Sequence, residues 1–179
     1  YAGKDAILCP GDSIPRNATG GVVYLWSPSV GLSNPNISNP NAYSSIAMTY
    51  TVVGTDANGC NNSDSVSISI GVIPIANFGY SLSLACEGVS ALFADSSQNT
   101  IAWSWEFGDG NSSSQQNPIY TFPYHSNYII TLTALNPPCK DTAQKTISLS
   151  ELSDYISIQT SNIFTPNDDG VNDCFRLNL

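Results

Sequence analysis

The sequence is short of charge, and of basic residues above all. Charged side chains make up 11% of its 179 residues, with five Lys and Arg against 14 Asp and Glu, for a formal charge of −9. Such a chain has no basic patch with which to neutralise phosphates, which disfavours nucleic acid and anionic lipid as partners. No apolar run approaches the length that spans a bilayer, and no segment reads as a signal peptide. The first residue is Tyr1 rather than Met, so the chain is read as an excerpt or processed form of something longer. No stretch sustains a 3.6-residue hydrophobic period, which leaves almost no room for helix.

The chemistry of hydrolases and metalloproteins is short of parts too. Nucleophilic hydrolysis needs Ser or Cys beside an oriented His, and the single histidine, His125, reads as part of a loop before a strand. One His cannot complete a Cys/His zinc set, and no Cys-x-x-Cys occurs. No glycine-rich loop follows a strand and opens a helix to hold phosphate. Asp168 and Asp169 are neighbours in a turn, a spacing that does not set two carboxylates across a glycosidic bond. The chain is expected to be no enzyme.

What the sequence does have is Ser, Thr, Asn and Gly for its polar surface, residues that suit turns and strand faces. Ile101, Trp103, Trp105 and Phe107 recur every second residue, so a strand here is expected to turn all four to one buried face under a second sheet. Gly108-Asp109-Gly110 then ends it, with glycine free to take φ > 0 and aspartate able to bond nearby N–H groups. The stretch Trp103-Ser-Trp-Glu-Phe-Gly-Asp-Gly110 resembles the signature of the polycystic-kidney-disease (PKD) domain. Asn117-Pro-Ile-Tyr120-Thr-Phe122 and Tyr128-Ile-Ile-Thr-Leu-Thr-Ala134 extend the resemblance over roughly residues 75–149. It implies a small immunoglobulin-like β-sandwich of an extracellular protein.

A repeat organises the chain. Cys9, Trp26, Tyr50 and Cys60 return as Cys86, Trp105, Tyr128 and Cys139. The offsets 86 − 9, 105 − 26, 128 − 50 and 139 − 60 are 77, 79, 78 and 79 residues. Both first cysteines also open a Cys-x-Gly-x-Ser. Such agreement marks two copies of one unit. In copy one, Val22–Trp26 matches the tryptophan strand and Thr49–Asp56 the tyrosine strand. Asp56-Ala-Asn-Gly59 is a hairpin signal, and Ser65–Ile70 alternates strictly. The Pro/Asn/Ser stretch from Ser27 to Asn41 reads as an ordered surface loop. Copy one lacks Phe-Gly-Asp-Gly and is similar to the degenerate PKD-like or immunoglobulin-like repeats of large bacterial surface proteins. The expected fold is all-β: two tandem immunoglobulin-like sandwiches at 1–72 and 73–150, then a short extended segment at 151–179. The junction near Gly71-Val-Ile-Pro74 is short, which favours a rod over freely tumbling beads.

Five cysteines in a β-rich chain fit an oxidising compartment. The repeat pairs them: Cys9 with Cys60 and Cys86 with Cys139 keep each copy self-contained. Each bridge would close a loop of about fifty residues, worth roughly 3–4 kcal/mol on the chain-entropy model. In an antibody domain the second cysteine lies two residues after the tyrosine. Here the gap is 60 − 50 = 10 or 139 − 128 = 11, so the bridge is expected to tie strand ends. Cys174 is left over, unpaired or intermolecular.

The tail reads differently. Its 29 residues hold five of the 14 carboxylates. Asn162-Ile-Phe-Thr-Pro-Asn-Asp-Asp-Gly-Val-Asn-Asp-Cys-Phe175 resembles the opening of the gliding-motility-type C-terminal domain, a type B sorting signal. That resemblance implies export by the type IX secretion machinery to the bacterial cell surface, and the chain holds only the beginning of that domain. Asn167, Asp169, Asn172 and Asp173 place oxygen donors around a glycine, the make-up of a calcium loop, set against a plain Asx turn. Asp109 with Glu106 and Asn111 is a weaker cation candidate beside a structural turn. Ser13, Ser65 and Thr142 each follow Asp and precede an apolar residue, which resembles the O-glycosylation motif of bacteria that use type IX secretion. Asn17, Asn36, Asn61 and Asn111 head N-glycosylation sequons.

Two functions are expected to compete. One is a non-enzymatic structural or adhesive module: stalk, adhesin or filament building block, self-associating or meeting a neighbouring surface protein or surface glycans. The segment after Leu152 is the candidate to add to a neighbour's sheet. The other is a carbohydrate-binding accessory module of an extracellular enzyme, which requires displayed aromatics, with Trp26, Tyr43 or Tyr124 as candidates.

Overall fold

Strands that are wet on one side and dry on the other set the architecture. The computed structural model describes residues 1–85, 88–123 and 126–149. Among these it contains thirteen strands and no helix, as the absence of a helical period predicts. The chain divides into two compact units. The first is Tyr1–Ile73 together with Asn136–Cys139, and the second is Pro74–Leu135 together with the chain from Lys140.

In the first unit, β1 (Ala6–Leu8), β6 (Asn61–Ile70), β5 (Met48–Thr55) and β3 (Val23–Ser27) form one sheet in the order β1-β6-β5-β3. β2 (Ser13–Pro15) and β4 (Asn41–Tyr43) form another. β1 runs parallel to β6, whereas β5–β6 and β3–β5 are antiparallel. The alternation of Ser65–Ile70 holds: Val66 and Ile68 are buried, and Ser65 and Ser69 face water. Trp26, Tyr50, Val52, Val66 and Ile68 are the main side chains of this core.

The second unit repeats the plan. β10 (Ser112–Ser113), β9 (Ala102–Glu106), β12 (Asn127–Asn136) and β13 (Cys139–Ser148) make a sheet in the order β10-β9-β12-β13. β11 (Ile119–Phe122), β8 (Gly88–Asp95) and β7 (Phe78–Ala85) make the other. Its core is built from Phe78, Phe93, Trp105, Phe107, Phe122 and Tyr128 with the aliphatics of β12. Phe78 meets Trp105 edge-on at 5.0 Å between centroids, the arrangement ring quadrupoles favour.

The tryptophan strand needs one correction. Trp105 and Phe107 are fully buried and Trp103 half-buried, but Ile101 is 67% exposed. β9 begins only at Ala102, and Ile101 before it donates its N–H to Leu135 O of β12 at 2.9 Å. The period-2 face therefore has three members, not four.

The long loop of copy one is ordered, as expected, by its own hydrogen bonds. Trp26 N–H donates to Pro35 O at 2.8 Å, Asn41 N–H to Ser33 Oγ at 2.9 Å, and Tyr50 Oη to Val30 O at 3.0 Å. Gly31 is required there: at φ 77° a Cβ would lie 2.3 Å from Tyr43 O. The Asp56–Gly59 hairpin also forms, with Asp56 Oδ1 accepting from Asn58 N–H and Cys60 N–H.

The cysteine pairing is the second correction. Cys9 bonds Cys139, with Cα atoms 5.4 Å apart and a sequence separation of 130. Cys60, expected to join Cys9, is exposed and free. The Cys86–Cys139 bond is excluded with it, since Cys139 is taken. Repeat symmetry allows a cysteine of either copy as partner, and only spatial proximity chooses. Here the β12–β13 turn, Asn136–Cys139, belongs to the first unit. Gly71 leaves room for the cystine, since a Cβ there would meet Cys139 Sγ at 3.0 Å.

Candidate functional site

The Gly-Asp-Gly turn after β9 is the feature the sequence points to first. Phe107 stacks on Tyr120 at 4.1 Å between centroids and 9° between planes. This brings the Tyr120 hydroxyl to Asp109 Oδ2 at 2.5 Å, while Asn111 Nδ2 donates to the same hydroxyl at 2.7 Å. Asp109 Oδ1 accepts Asn111 N–H at 3.0 Å. Burial works to raise the Asp109 pKa, but hydrogen bonds from Tyr120 and Asn111 outweigh it and hold the carboxyl below its ordinary value. Both carboxylate oxygens thus have partners within the protein. Among the described residues no three His, Cys, Asp or Glu side chains gather to hold a metal. Two members of the cation candidate, Asp109 and Asn111, are thus tied to each other and to Tyr120 within the turn.

Asp95, which sequence reasoning passed over, is a second hub of that unit. Its Oδ2 accepts the Trp103 indole N–H at 2.8 Å and Gln116 Nε2 at 3.1 Å, and its Oδ1 accepts Ser97 N–H at 3.0 Å. Burial pushes its pKa up, yet the bonds from Ser97, Gln116 and Trp103 prevail and depress it. The signal was present: a half-buried indole must find an acceptor for its N–H.

Two further devices recur in both copies. Trp26 Nε1 donates to Ile37 O at 2.9 Å, and Trp105 Nε1 to Gln115 O at 2.8 Å, so each core indole pins the loop that follows its strand. Asp64 Oδ2 accepts Ala2 N–H at 2.8 Å, and Asp141 Oδ2 accepts Ala76 N–H at 2.8 Å. The bond from Ala2 N–H is the chief cause of a lowered Asp64 pKa. The aspartates of two Asp-(Ser/Thr)-apolar motifs therefore fasten the leading segment of their own sandwich. The hydroxyl residues beside them, Ser65 and Thr142, face solvent, as does Ser13. Ser65 Oγ also lies 2.9 Å from Thr51 Oγ1.

The remaining sites divide cleanly. Trp26, a candidate for display, is 1% exposed and belongs to the core, whereas Tyr43 is 48% exposed. A cleft of about 310 Å³ in the first unit is lined by Tyr1, Thr19, Tyr24, Asn62 and Asp64 among others, and the Asp64 carboxylate there is already engaged. His125, Tyr124, Cys86, Cys174 and the calcium candidates Asn167, Asp169, Asn172 and Asp173 lie outside the described residues. So does the whole segment 151–179 with the sorting-signal motif.

Comparison with known proteins agrees with this frame. Residues 72–150 match the family described as PKD domain. No curated protein matches the chain. Among solved structures, the PKD1 domain of the Vibrio cholerae metalloprotease PrtV is 26% identical, over 44% of this chain and 98% of that one, with a TM-score of 0.38. The PKD1 domain of Vibrio anguillarum Epp is 23% identical, over 44% and 95%, with a TM-score of 0.38. The fibronectin(III)-like modules of Clostridium thermocellum CbhA are 12% identical over 83% of this chain and 92% of that one, with a TM-score of 0.50. That likeness extends the β-sandwich fold beyond the PKD region. The PKD match and the cystine together point to a secreted, extracellular protein. Residues 72–150 thus match the PKD domain, within an all-β chain of tandem immunoglobulin-like sandwiches.

Proposed function

We propose that this chain is a non-enzymatic structural module of a secreted bacterial surface protein, serving as a stalk, adhesin or filament building block. The observation that carries the reading is the Cys9–Cys139 bridge. When a chain is pulled from its ends, tension follows the covalent path, and a cystine shunts it past everything the loop encloses. The sequence separation of 130 between the two cysteines would otherwise release roughly 430 Å of extended chain at about 3.3 Å per residue. With the bridge closed, that length stays stored and folded. This suits a load-bearing part.

Single-molecule pulling from the two termini tests the proposal. The oxidised chain is expected to withhold the length between Cys9 and Cys139, and a reducing agent to release it. An oxidised chain that lengthens as far as the reduced one sinks the load-bearing reading. Retention on insoluble polysaccharide would favour the carbohydrate-binding accessory module instead.

Export by the type IX machinery rests on the Asn162–Phe175 motif, with surface glycans and the secretion apparatus as partners during and after passage. Loss of the protein from the cell surface in a strain lacking the type IX outer-membrane channel tests that route. Glycans at Ser13, Ser65 and Thr142 would appear as mass above the bare polypeptide. Calcium at the Asn167–Asp173 turn would appear as a melting shift on calcium titration.

A further inference from the structure

The sheet edges of the second unit are guarded unequally. β13 carries Lys140, Asp141 and Lys145 along its length, and such charges keep an edge from pairing with another chain. The edge strands β10 and β11 are only two and four residues long. β7 is an edge strand too, with β8 as its one strand neighbour among the described residues. It runs for eight residues without a charge or a proline.

The β7 backbone turns unused groups outward. Phe93 N–H donates to Pro118 O, just ahead of β11. Bonding groups alternate along an antiparallel strand, so Leu92 and Ala94 turn theirs to β7, where they face Ser81 and Gly79. The amides and carbonyls of Phe78, Tyr80, Leu82 and Leu84 therefore point to the free edge. Lys145 Nζ caps the first of these by donating to Phe78 O, and lies 5.2 Å from the Phe78 ring centroid. Among the described residues nothing bonds the outward N–H or C=O of Tyr80 or Leu82. The core is unfinished at the same place. Tyr80 lies 6.3 Å from the Phe93 ring and Leu82 packs on the buried cluster, so both belong to the inner face. Yet Tyr80 is 39% exposed and Leu82 half-buried, whereas Phe78 at the capped end is 1% exposed.

We propose that β7 pairs antiparallel with β7 of a second copy of the chain. A partner strand must bring apolar side chains to the inner side, small ones to the outer side, and no carboxylate. The alternation Tyr80-Ser-Leu-Ser-Leu84 meets those terms itself, because a two-fold axis sets apolar positions opposite apolar ones and serines opposite serines. Copies with a net charge of −9 repel wherever their carboxylates approach, which favours contact through this uncharged edge. Phe78 O is already taken, so the register that uses the remaining groups puts the axis at Leu82. Leu82 then faces Leu82, Tyr80 faces Leu84, and Ser81 faces Ser83. The contact is isologous and closes on itself, giving pairs of chains whose sheet runs on from one copy into the other. It adds a lateral contact to the structural reading and does not depend on tension being carried by Cys9–Cys139.

The test uses the oxidised 179-residue chain, isotopically labelled, with free thiols alkylated so that no cystine links two copies. Sedimentation across a concentration series is expected to show a monomer–dimer equilibrium. Over the same series, hydrogen exchange at the Tyr80 and Leu82 amides is expected to slow as dimer forms. The Ser81 and Ser83 amides, which already face β8, are expected to keep one rate. Ser81→Glu with Ser83→Glu sets like charges opposite each other twice across the axis and is expected to weaken the dimer about tenfold. Ser81→Glu with Ser83→Lys sets opposite charges in those places and is expected to restore it. Both serines are exposed, and an unchanged melting temperature of the monomer checks that each variant folds. A chain that sediments as monomer throughout, a dimer that leaves exchange at Tyr80 and Leu82 unslowed, or equal affinities for the two double variants overturns the proposal. None of those results alters the length withheld by Cys9–Cys139 under pulling, so failure here is distinguishable from failure of the load-bearing reading.

Discussion

Trp26 and Trp105 stand on matching strands of their two sandwiches, yet they are surrounded differently. Trp105 meets Phe78 and Phe93, with centroids at 5.0 and 5.3 Å, in a core that also holds Phe107 and Phe122. Trp26 shares its buried core with one other aromatic ring, Tyr50, and otherwise with Ala, Val, Ile and Leu, while Tyr24 and Met48 pack against it at partial burial. The braces are nevertheless the same: an indole N–H to a loop carbonyl ten or eleven residues on, and an aspartate holding a leading N–H. Directional bonds specify where strands and loops meet, whereas a core needs only apolar volume of the right amount. Two sandwiches can therefore share a frame while filling it with different side chains.

Replacing each tryptophan tests that separation most severely. Trp105→Ala and Trp26→Ala are each expected to cost about 3–5 kcal/mol, because both remove a fully buried indole and leave a cavity. Denaturant unfolding monitored unit by unit should show the loss in the unit that carries the change. Equal losses in both units from either substitution would show one cooperative core instead of two.

Gly108→Ala probes the feature that only the second sandwich has. At φ 82° an added Cβ would sit 2.7 Å from Ile129 O and 2.9 Å from Ile129 N, both backbone atoms that cannot swing aside. The expected cost is about 1–3 kcal/mol, the range for a residue forced into a sparsely populated conformation. Thermal unfolding checks it, and an unchanged melting temperature would show that the turn is not what closes β9.

Acid sharpens the comparison further. Asp95 and Asp109 in the second unit and Asp64 in the first all have depressed pKa values. A depressed carboxylate contributes stability that is complete above the unfolded-state value, near 3.8, and is lost as pH falls through the lower folded-state value. Below about pH 4 the second unit, with two such groups, is expected to lose stability faster than the first. Near-ultraviolet circular dichroism across an acid titration would reveal the order, and simultaneous loss would remove the distinction.

The smallest effect should come from the shared brace. Asp64→Asn and Asp141→Asn are each expected to lower the unfolding midpoint of their own unit slightly and to a similar extent. Hydrogen exchange at Ala2 and Ala76, whose amides those carboxylates accept, would register the change most directly. Protection that persists in both variants would mean that something else fastens the leading segments.

Much of the fold was legible in particular residues. Ser65–Ile70 announced its buried side because a strand alternates, and Asp56–Gly59 announced its turn because few residues tolerate that backbone. Ile101 misled because periodicity says which face a side chain takes only while the strand lasts. Trp26 was open to display because one tryptophan among polar neighbours fits both a core and a binding platform. Its partner, Ile37 O, lies in a loop whose path no local pattern reveals. Asp95 escaped notice because three of the groups it serves, Ser97, Trp103 and Gln116, converge only after folding.

By itself the sequence determined the class of the protein: all-β, twice repeated, low in charge and cysteine-bearing, with a PKD signature in its second half. Those properties reside in composition, period and order along the chain, which folding does not alter. Only the tertiary structure decided which cysteines meet. A disulfide needs two Cα atoms about 5.5 Å apart, and repeat symmetry makes Cys60 and Cys139 equal candidates for Cys9 until space chooses. It chose Cys139, at 5.4 Å.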